Sequence, residues 1–385
     1  MKKRFISILG VLCICITTIF CGTMQNTVYA ESEIPLEAKA AILMDYDSGE
    51  VLFAENENDK LQVASIVKLM TVLLTLEEVE NGSLTLDEKL VASEYASSMG
   101  GSQVFIDTGA SYRIDKMLQS VIMASANDAS VALAEHIAGS EKKFVKMMND
   151  KAEELGMTNT VYENCTGLPS PMQHSTAKDT ALLLSSVIDS EVYHKYSTMW
   201  MDELVHPSGR KTEIVNTNKL VKYYQGCDSG KTGFTDEAGY CLASSVKRDD
   251  MRLVSVVLGT KNAKARFNES VKLLNYGFAN FANELIVDNE KSLSLENVLK
   301  SQIKSVELFA SENFFGLVKK GEEADFAVSY ELNGKLVAPL KAGDVVGQVI
   351  VTKNGVVVKE IDLIIKQDIE QINFSQSMKK IIEMW

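Results

Sequence analysis

A chain of 385 residues is long enough for one large domain and a smaller one, and a formal net charge of −13 argues against a nucleic-acid partner. Its six cysteines and four histidines fall in no ligand-like cluster, so no metal or other cofactor is implied. Hydrophobic residues make up 46% of the chain, enough for a sizeable core.

The start of the chain reads as a targeting segment. Lys2, Lys3 and Arg4 precede an apolar stretch over residues 5–21, and Val28-Tyr29-Ala30 places small side chains at the two positions a signal peptidase reads. Residues 1–30 are therefore expected to be a signal peptide, with the mature chain starting at Glu31. An uncleaved anchor is the alternative, but the apolar run is marginal in length for one. A lipoprotein signal at Cys21 is opposed by the bulky Phe20. Removing the positive charges of Lys2, Lys3 and Arg4 takes the mature chain to about −16. Cys13, Cys15 and Cys21 leave with the signal. The odd remainder, Cys165, Cys227 and Cys241, reads as buried small apolar residues and not as a disulfide framework. A soluble protein exported across the cytoplasmic membrane fits these features.

In chain order, residues 40–44 and 51–54 predict an antiparallel strand pair around the turn Asp45-Tyr46-Asp47-Ser48-Gly49. From Ser65 onward, Ile66, Val67, Leu69, Met70, Val72, Leu73, Leu74 and Leu76 cover nearly every face of a helix, which must then be buried. Ile114, Met117, Leu118, Val121 and Ile122 form a one-sided helical stripe that stops at Ser125-Ala126-Asn127-Asp128. Asp128 is expected to cap the next helix, residues 129–137. Strands are expected over 212–221, 227–234, 239–246 and 251–259, then a helix over 268–281. Two strands, a helical middle, more strands and a closing helix predict an antiparallel sheet covered by helices, with a helical insert. Beyond residue 284 the pattern turns to short strands, 305–309, 324–330, 336–340, 347–352 and 356–365, with hairpin signals at Asn333-Gly334 and Asn354-Gly355. The expected division is 31–283 for the first domain, 284–367 for a small all-β domain and 368–385 for a terminal segment. In that segment Phe374, Met378, Ile381, Ile382 and Trp385 share one helical face beside Lys379 and Lys380, a pattern suited to lying in a membrane surface. Packing back on the β domain and a frayed tail are its alternatives.

Three short motifs carry the chemistry: Ser65-Ile66-Val67-Lys68, Ser125-Ala126-Asn127 and Lys231-Thr232-Gly233. None is specific alone. Ser-x-x-Lys also occurs at Ser140, Ser175, Ser208, Ser244, Ser301 and Ser377, and Ser-x-Asn recurs at Ser311. In context they complement one another. Ser65 at a helix start meets free backbone N–H groups and the positive end of the helix dipole, which favour an oxyanion. Lys68 lies one turn on and reaches the same hydroxyl. Apolar neighbours and a second cation, Lys231, push its amine toward the neutral form that can accept a proton. Ser125 and Asn127 offer a hydroxyl and an amide from an inter-helix link. Gly233 is expected to leave room for a substrate backbone while Lys231 and Thr232 hold a carboxylate.

With these motifs in this order, the chain resembles the D-alanyl-D-alanine carboxypeptidases of the low-molecular-mass penicillin-binding protein family, whose motif trio is a known signature. The resemblance runs through Ser65-Ile66-Val67-Lys68-Leu69-Met70-Thr71, Ser125-Ala126-Asn127-Asp128-Ala129, Asn164-Cys165-Thr166-Gly167-Leu168-Pro169, His174-Ser175-Thr176-Ala177, Asn216-Thr217-Asn218-Lys219-Leu220 and Lys231-Thr232-Gly233-Phe234-Thr235. It spans essentially the whole mature chain. Val63, Cys165 and Phe234 stand where relatives often carry Pro, Pro or Ala, and His or Tyr. The resemblance implies a β-lactamase/transpeptidase-like fold of the α/β (α+β) class followed by a small all-β domain. It implies peptidoglycan stem peptides as substrate, β-lactams as inhibitors and no cofactor. Ser65 would be the nucleophile, Lys68 the base and Ser125 the proton relay. Asn127, Lys231, Thr232 and Thr235 would bind substrate, and the backbone N–H groups of Ser65 and Phe234 would form the oxyanion hole. The protein would act on the outer face of the cytoplasmic membrane, held there by its terminal helix, or be secreted. A D,D-endopeptidase, a class A-like β-lactamase using Glu163, and a catalytically silent wall-binding protein are the alternatives.

Overall fold

The computed structural model describes residues 34–322, 325–373, 375 and 378. The expected signal peptide, and Phe374, Ile381, Ile382 and Trp385 of the expected terminal helix, lie outside the described residues.

β1 (Ala40–Asp45) and β2 (Val51–Glu55) form the predicted antiparallel hairpin, with Leu43 opposite Phe53. Its turn is fixed by Asp45, whose carboxylate accepts from the Ser48 N–H and hydroxyl at 2.9 and 2.6 Å. A 3₁₀ turn (Ala64–Val67) leads into α1 (Lys68–Glu80), so Ser65 lies in that tighter turn and the α-helix proper begins at Lys68. Every residue of α1 from Lys68 to Leu76 is buried, as an apolar run without a polar face requires. The helical insert follows. It comprises β3 (Lys89–Val91), α2 (Glu94–Ser97), β4 (Ser111–Arg113), α3 (Ile114–Ala124), α4 (Asn127–Ala138), α5 (Glu141–Glu154), α6 (Ala177–Val187) and α7 (Glu191–Ser197), with the β3–β4 ribbon at its edge.

A second ribbon pairs β5 (Met201–Val205) with β6 (Lys211–Val215). The strand predicted over 212–221 thus ends at Val215 and gives way to a short helix, α8 (Leu220–Tyr223). Asparagine side chains cause the break. Asn216 donates to the carbonyls of Ser197 and Met199 while its oxygen accepts from Asn218 N–H, and Asn218 in turn accepts from Leu220 N–H.

β7 (Cys227–Thr235), β8 (Gly239–Arg248) and β9 (Met251–Thr260) complete a five-stranded antiparallel sheet in the order β2-β1-β9-β8-β7. α9 (Ala263–Asn280) then covers one face. It starts earlier than predicted because Asn262 caps it, accepting from the N–H groups of Lys264 and Ala265. Alternation along β1 serves both faces: Ala40, Ile42 and Met44 pack with α1 and the insert, Ala41 and Leu43 with α9. This is the expected helix-flanked antiparallel sheet.

The remainder is all β: β10 (Phe281–Val287), β11 (Ser294–Leu299), β12 (Ser305–Ala310), β13 (Phe314–Lys319), β14 (Phe326–Leu332), β15 (Leu336–Val337), β16 (Val345–Lys353) and β17 (Val356–Ile365). β10 pairs with β13, and the other strands form a six-stranded sheet in the order β14-β16-β17-β12-β11-β15. Asn354-Gly355 makes the predicted hairpin between β16 and β17. Asn333-Gly334 does not: it links the two ends of the sheet order, so the sheet curls around its own core of Val306, Leu308, Val349, Val351, Leu363 and Ile365. Lys353 of β16 reaches back to Glu50 beside β2 at 2.5 Å, and Asn283 of β10 donates to Asp47 at 3.2 Å.

Candidate active site

Lys68 is fully buried, and its amine has two partners, the Ser65 hydroxyl at 3.0 Å and the Thr166 carbonyl. The second partner comes from a turn that the sequence builds locally. The Asn164 side chain accepts from Thr166 N–H, the Thr166 hydroxyl and Gly167 N–H, and donates to the Leu168 carbonyl. Thr71, one turn beyond Lys68, ties α1 to the same turn by donating to the Cys165 carbonyl at 2.8 Å. Gly167 (φ +79°) lets the turn press on the backbone at Ala64 and Ser65: a Cβ there would stand 2.0 Å from the Ala64 carbonyl oxygen.

Burial pulls the Lys68 amine down to about 7, against the opposing influence of Cys165 and the Asp128 carboxylate. Lys231, 1% exposed on β7, is held well below an ordinary lysine by burial first and then by the positive charges of Lys68 and Arg266. The two amines therefore compete for one positive charge in a dry site.

Ser125 caps α3 in the left-handed region (φ +62°), and Ala64, next to Ser65, is left-handed too (φ +50°). Each such residue stores about 1–3 kcal/mol of strain. The Ser125 hydroxyl is buried and makes no hydrogen bond among the described residues, nor does the Asn127 Oδ1. Asn127 is the first residue of α4, so Asp128 lies inside the first turn and not at the cap position; its carboxylate accepts from Ala129 N–H of that turn and from a neighbouring loop. Thr232 is buried, whereas the Thr235 hydroxyl accepts from Ala238 N–H and shapes the β7–β8 turn. Phe234 is 48% exposed and stacks on Tyr240 at 4.2 Å.

Gly233 does something other than what its sequence context suggested. A Cβ there would lie 2.5 Å from the Val63 carbonyl oxygen and 3.2 Å from Ala64 Cβ, so the glycine admits the turn that carries Ser65 against β7. Sequence reading also missed Arg266. It lies on α9 and donates to the Gly233 carbonyl at 3.0 Å, adding a second cation beside Lys231. Nothing in the local sequence distinguishes it from a surface arginine. Glu163, the residue a class A-like β-lactamase would need, is exposed and occupied in its own loop, accepting from the Ser170 hydroxyl and Met172 N–H. Cys165, Cys227 and Cys241 are buried thiols.

Comparison with known proteins decides the family. Residues 25–262 match the family described as D-alanyl-D-alanine carboxypeptidase, and residues 281–371 match the C-terminal domain of penicillin-binding protein 5. The chain belongs to this carboxypeptidase family. It is 37% identical to the D-alanyl-D-alanine carboxypeptidase DacF of Bacillus subtilis over 355 residues, 92% of this chain and 91% of the relative. It is 34% identical to DacC of Escherichia coli over 361 residues, 91% and 88% of the two chains. The crystal structure of penicillin-binding protein 5 from Haemophilus influenzae superposes with a TM-score of 0.70 at 32% identity, covering 89% of this chain and all of that one. The carboxypeptidase is thus a serine-type hydrolase of the penicillin-binding superfamily, with the fold that its motif order implied.

The packing at Gly233 gives a test. Gly233→Ala should push β7 off the 63–66 turn and cut acylation by penicillin about a hundredfold, the scale set by displacing a reacting group by about 1 Å. Stopped-flow acylation rates, with thermal melting to verify folding, check this.

Proposed function

We propose that Ser65 is the acylated nucleophile of this D-Ala-D-Ala carboxypeptidase and that Lys68 is its general base. The observation that carries this reading is a fully buried lysine whose amine lies 3.0 Å from a serine hydroxyl and titrates near 7. A neutral amine there takes the Ser65 proton as the oxygen attacks the carbonyl between the two terminal D-alanines. Backbone N–H groups of Ser65 and Phe234 receive the developing oxyanion. Ser125, with no other partner for its hydroxyl, passes the proton to the leaving D-alanine. Lys68 then activates the water that hydrolyses the ester.

β7 is the terminal strand of its sheet, so an extended peptide can add along its outer edge. Its carboxylate end would meet Lys231, Thr232 and Thr235, with Arg266 beside them. An arriving carboxylate favours the charged form of Lys231, and that charge in turn holds Lys68 neutral. This preference for a free C-terminus favours a carboxypeptidase over an endopeptidase.

Division into a peptidase domain over 31–283, an all-β domain over 284–367 and a terminal membrane-surface segment over 368–385 completes the proposal, with residues 1–30 directing export. No helix among the described residues is long and apolar enough to cross a membrane. Attachment would therefore rest on the terminal amphipathic face. A chain ending at residue 373 should move from the membrane fraction to the soluble fraction of cells expressing it. Unchanged partition would sink the attachment while leaving the chemistry intact.

Acylation by penicillin should rise with pH through a midpoint near 7, because the protonated Lys68 present below it cannot accept a proton. Lys68→Arg should abolish it, since a guanidinium does not deprotonate. Mass spectrometry should place the adduct on Ser65 and find none in Ser65→Ala. An adduct on another serine would overturn the assignment.

Amidating the C-terminus of a D-Ala-D-Ala pentapeptide should slow its hydrolysis about ten- to hundredfold, the value of a charge-assisted contact felt in the transition state. Lys231→Ala should slow the free acid strongly and the amide little. Equal losses on both peptides would show that Lys231 does not read the carboxylate.

A further inference from the structure

Asn127 is gripped by a loop over residues 100–106. Its backbone N–H donates to the Ser102 carbonyl at 2.7 Å, and its side-chain Nδ2 donates to the Gly100 carbonyl at 2.6 Å. Gly101 (φ +77°) sits so close that a Cβ would stand 2.8 Å from that Nδ2. With the amide nitrogen committed to the loop, Oδ1 is the atom left for a substrate N–H.

The loop itself is held by the next residue along the chain. Asp128 is fully buried and forms no ion pair among the described residues. Its carboxylate accepts from Val104 N–H at 3.2 Å and from Ile106 N–H at 3.1 Å, and also from its neighbour Ala129 N–H at 2.9 Å. Phe105, between the first two donors, is forced into the left-handed region (φ +60°), which is rare for an aromatic residue. Its ring is 57% exposed, whereas Val104 and Ile106 on either side are buried. Arg210 secures the outer side by donating to the Phe105 carbonyl and pairing with Asp107 at 2.9 Å. An unpaired charge in the core is costly unless backbone donors satisfy it. Here those donors belong to the loop that orients Asn127.

We propose that Asp128 is a positioning residue: through the 100–106 loop it fixes the Asn127 amide so that Oδ1 faces the substrate backbone. The proposal rests on the reading of Asn127 as a substrate-binding residue. Asp128 touches no reacting atom. Its other route to the chemistry, the pull of its carboxylate on the Lys68 amine, would show as a shifted pH midpoint of turnover and is left intact in Gly101→Ala.

A double-mutant cycle on the full mature chain tests this, with D-Ala-D-Ala pentapeptide as substrate and thermal melting to confirm that each variant is folded. Asp128→Asn keeps the shape but puts an amide donor against the Val104 or Ile106 N–H. It should raise KM more than it lowers kcat and reduce kcat/KM about ten- to hundredfold. In the Asn127→Ala background the same change should cost less than about twofold, because the group it positions is already gone. Gly101→Ala attacks the grip from the loop side without touching the buried carboxylate. It should show the same KM-dominated loss and the same insensitivity in the Asn127→Ala background, and it keeps the test open if Asp128→Asn fails to fold. Losses that multiply in both backgrounds, or a loss confined to kcat, would overturn the proposal. Asn127→Ala with unaltered KM would instead overturn the substrate-binding reading beneath it.

Discussion

The site depends on a lysine that the fold keeps dry. Lys68 opens a helix whose first turns are buried on all sides, and among the described residues its amine is satisfied by a hydroxyl and one carbonyl. In water such an amine would hold its proton far above neutrality; here desolvation works against the charge. Lys231 and Arg266 extend the same constraint, since each further cation in a low-dielectric pocket makes the next harder to charge. Lys68 and Lys231 thus form a coupled pair in which the charge of one disfavours the charge of the other.

Close approach of backbone segments makes that coupling possible. Gly167 and Gly233 press on the 63–66 turn from two directions, each where a Cβ would collide with a carbonyl oxygen. Ser65 is clamped between an asparagine-built turn and an edge strand, with left-handed Ala64 absorbing the bend. Strain at Ala64 and Ser125 is retained because the surroundings leave those residues no alternative.

The candidate site residues could be picked out of the sequence because their chemistry is written in short spacings: a lysine on an apolar helix needs a reason, and Lys-Thr-Gly occurs once. The helices and the main sheet were legible for the same kind of reason, through periodicity in α1 and α3 and the runs of β7, β8 and β9. What could not be read depends on partners distant along the chain. Gly233 looked like space for a ligand because Val63 lies far away in sequence. Asp128 could be read only as a helix-start residue, which its bond from Ala129 N–H supports, because its other partners, Val104 and Ile106, belong to another segment. Arg266 carried no local mark at all. β10, β11 and β13 escaped because their sequences do not alternate cleanly: β13 buries Gly316, Leu317 and Val318 in succession, and the apolar residues of β10 and β11 fall at no regular spacing of two.

The order of the main sheet has a consequence for how the chain acquires its shape. β1, the first strand among the described residues, sits between β2 and β9, with Ala40 opposite Leu258. That pairing encloses the whole helical insert in one loop, and non-local pairing of this kind slows folding. Until β9 emerges, Ile42 and Leu43 have only the β2 hairpin beside them, and the core under α9 has no sheet to rest on. The growing chain cannot complete its peptidase unit piecemeal. It must stay open until nearly all of that unit has been made and then close the sheet in one late step.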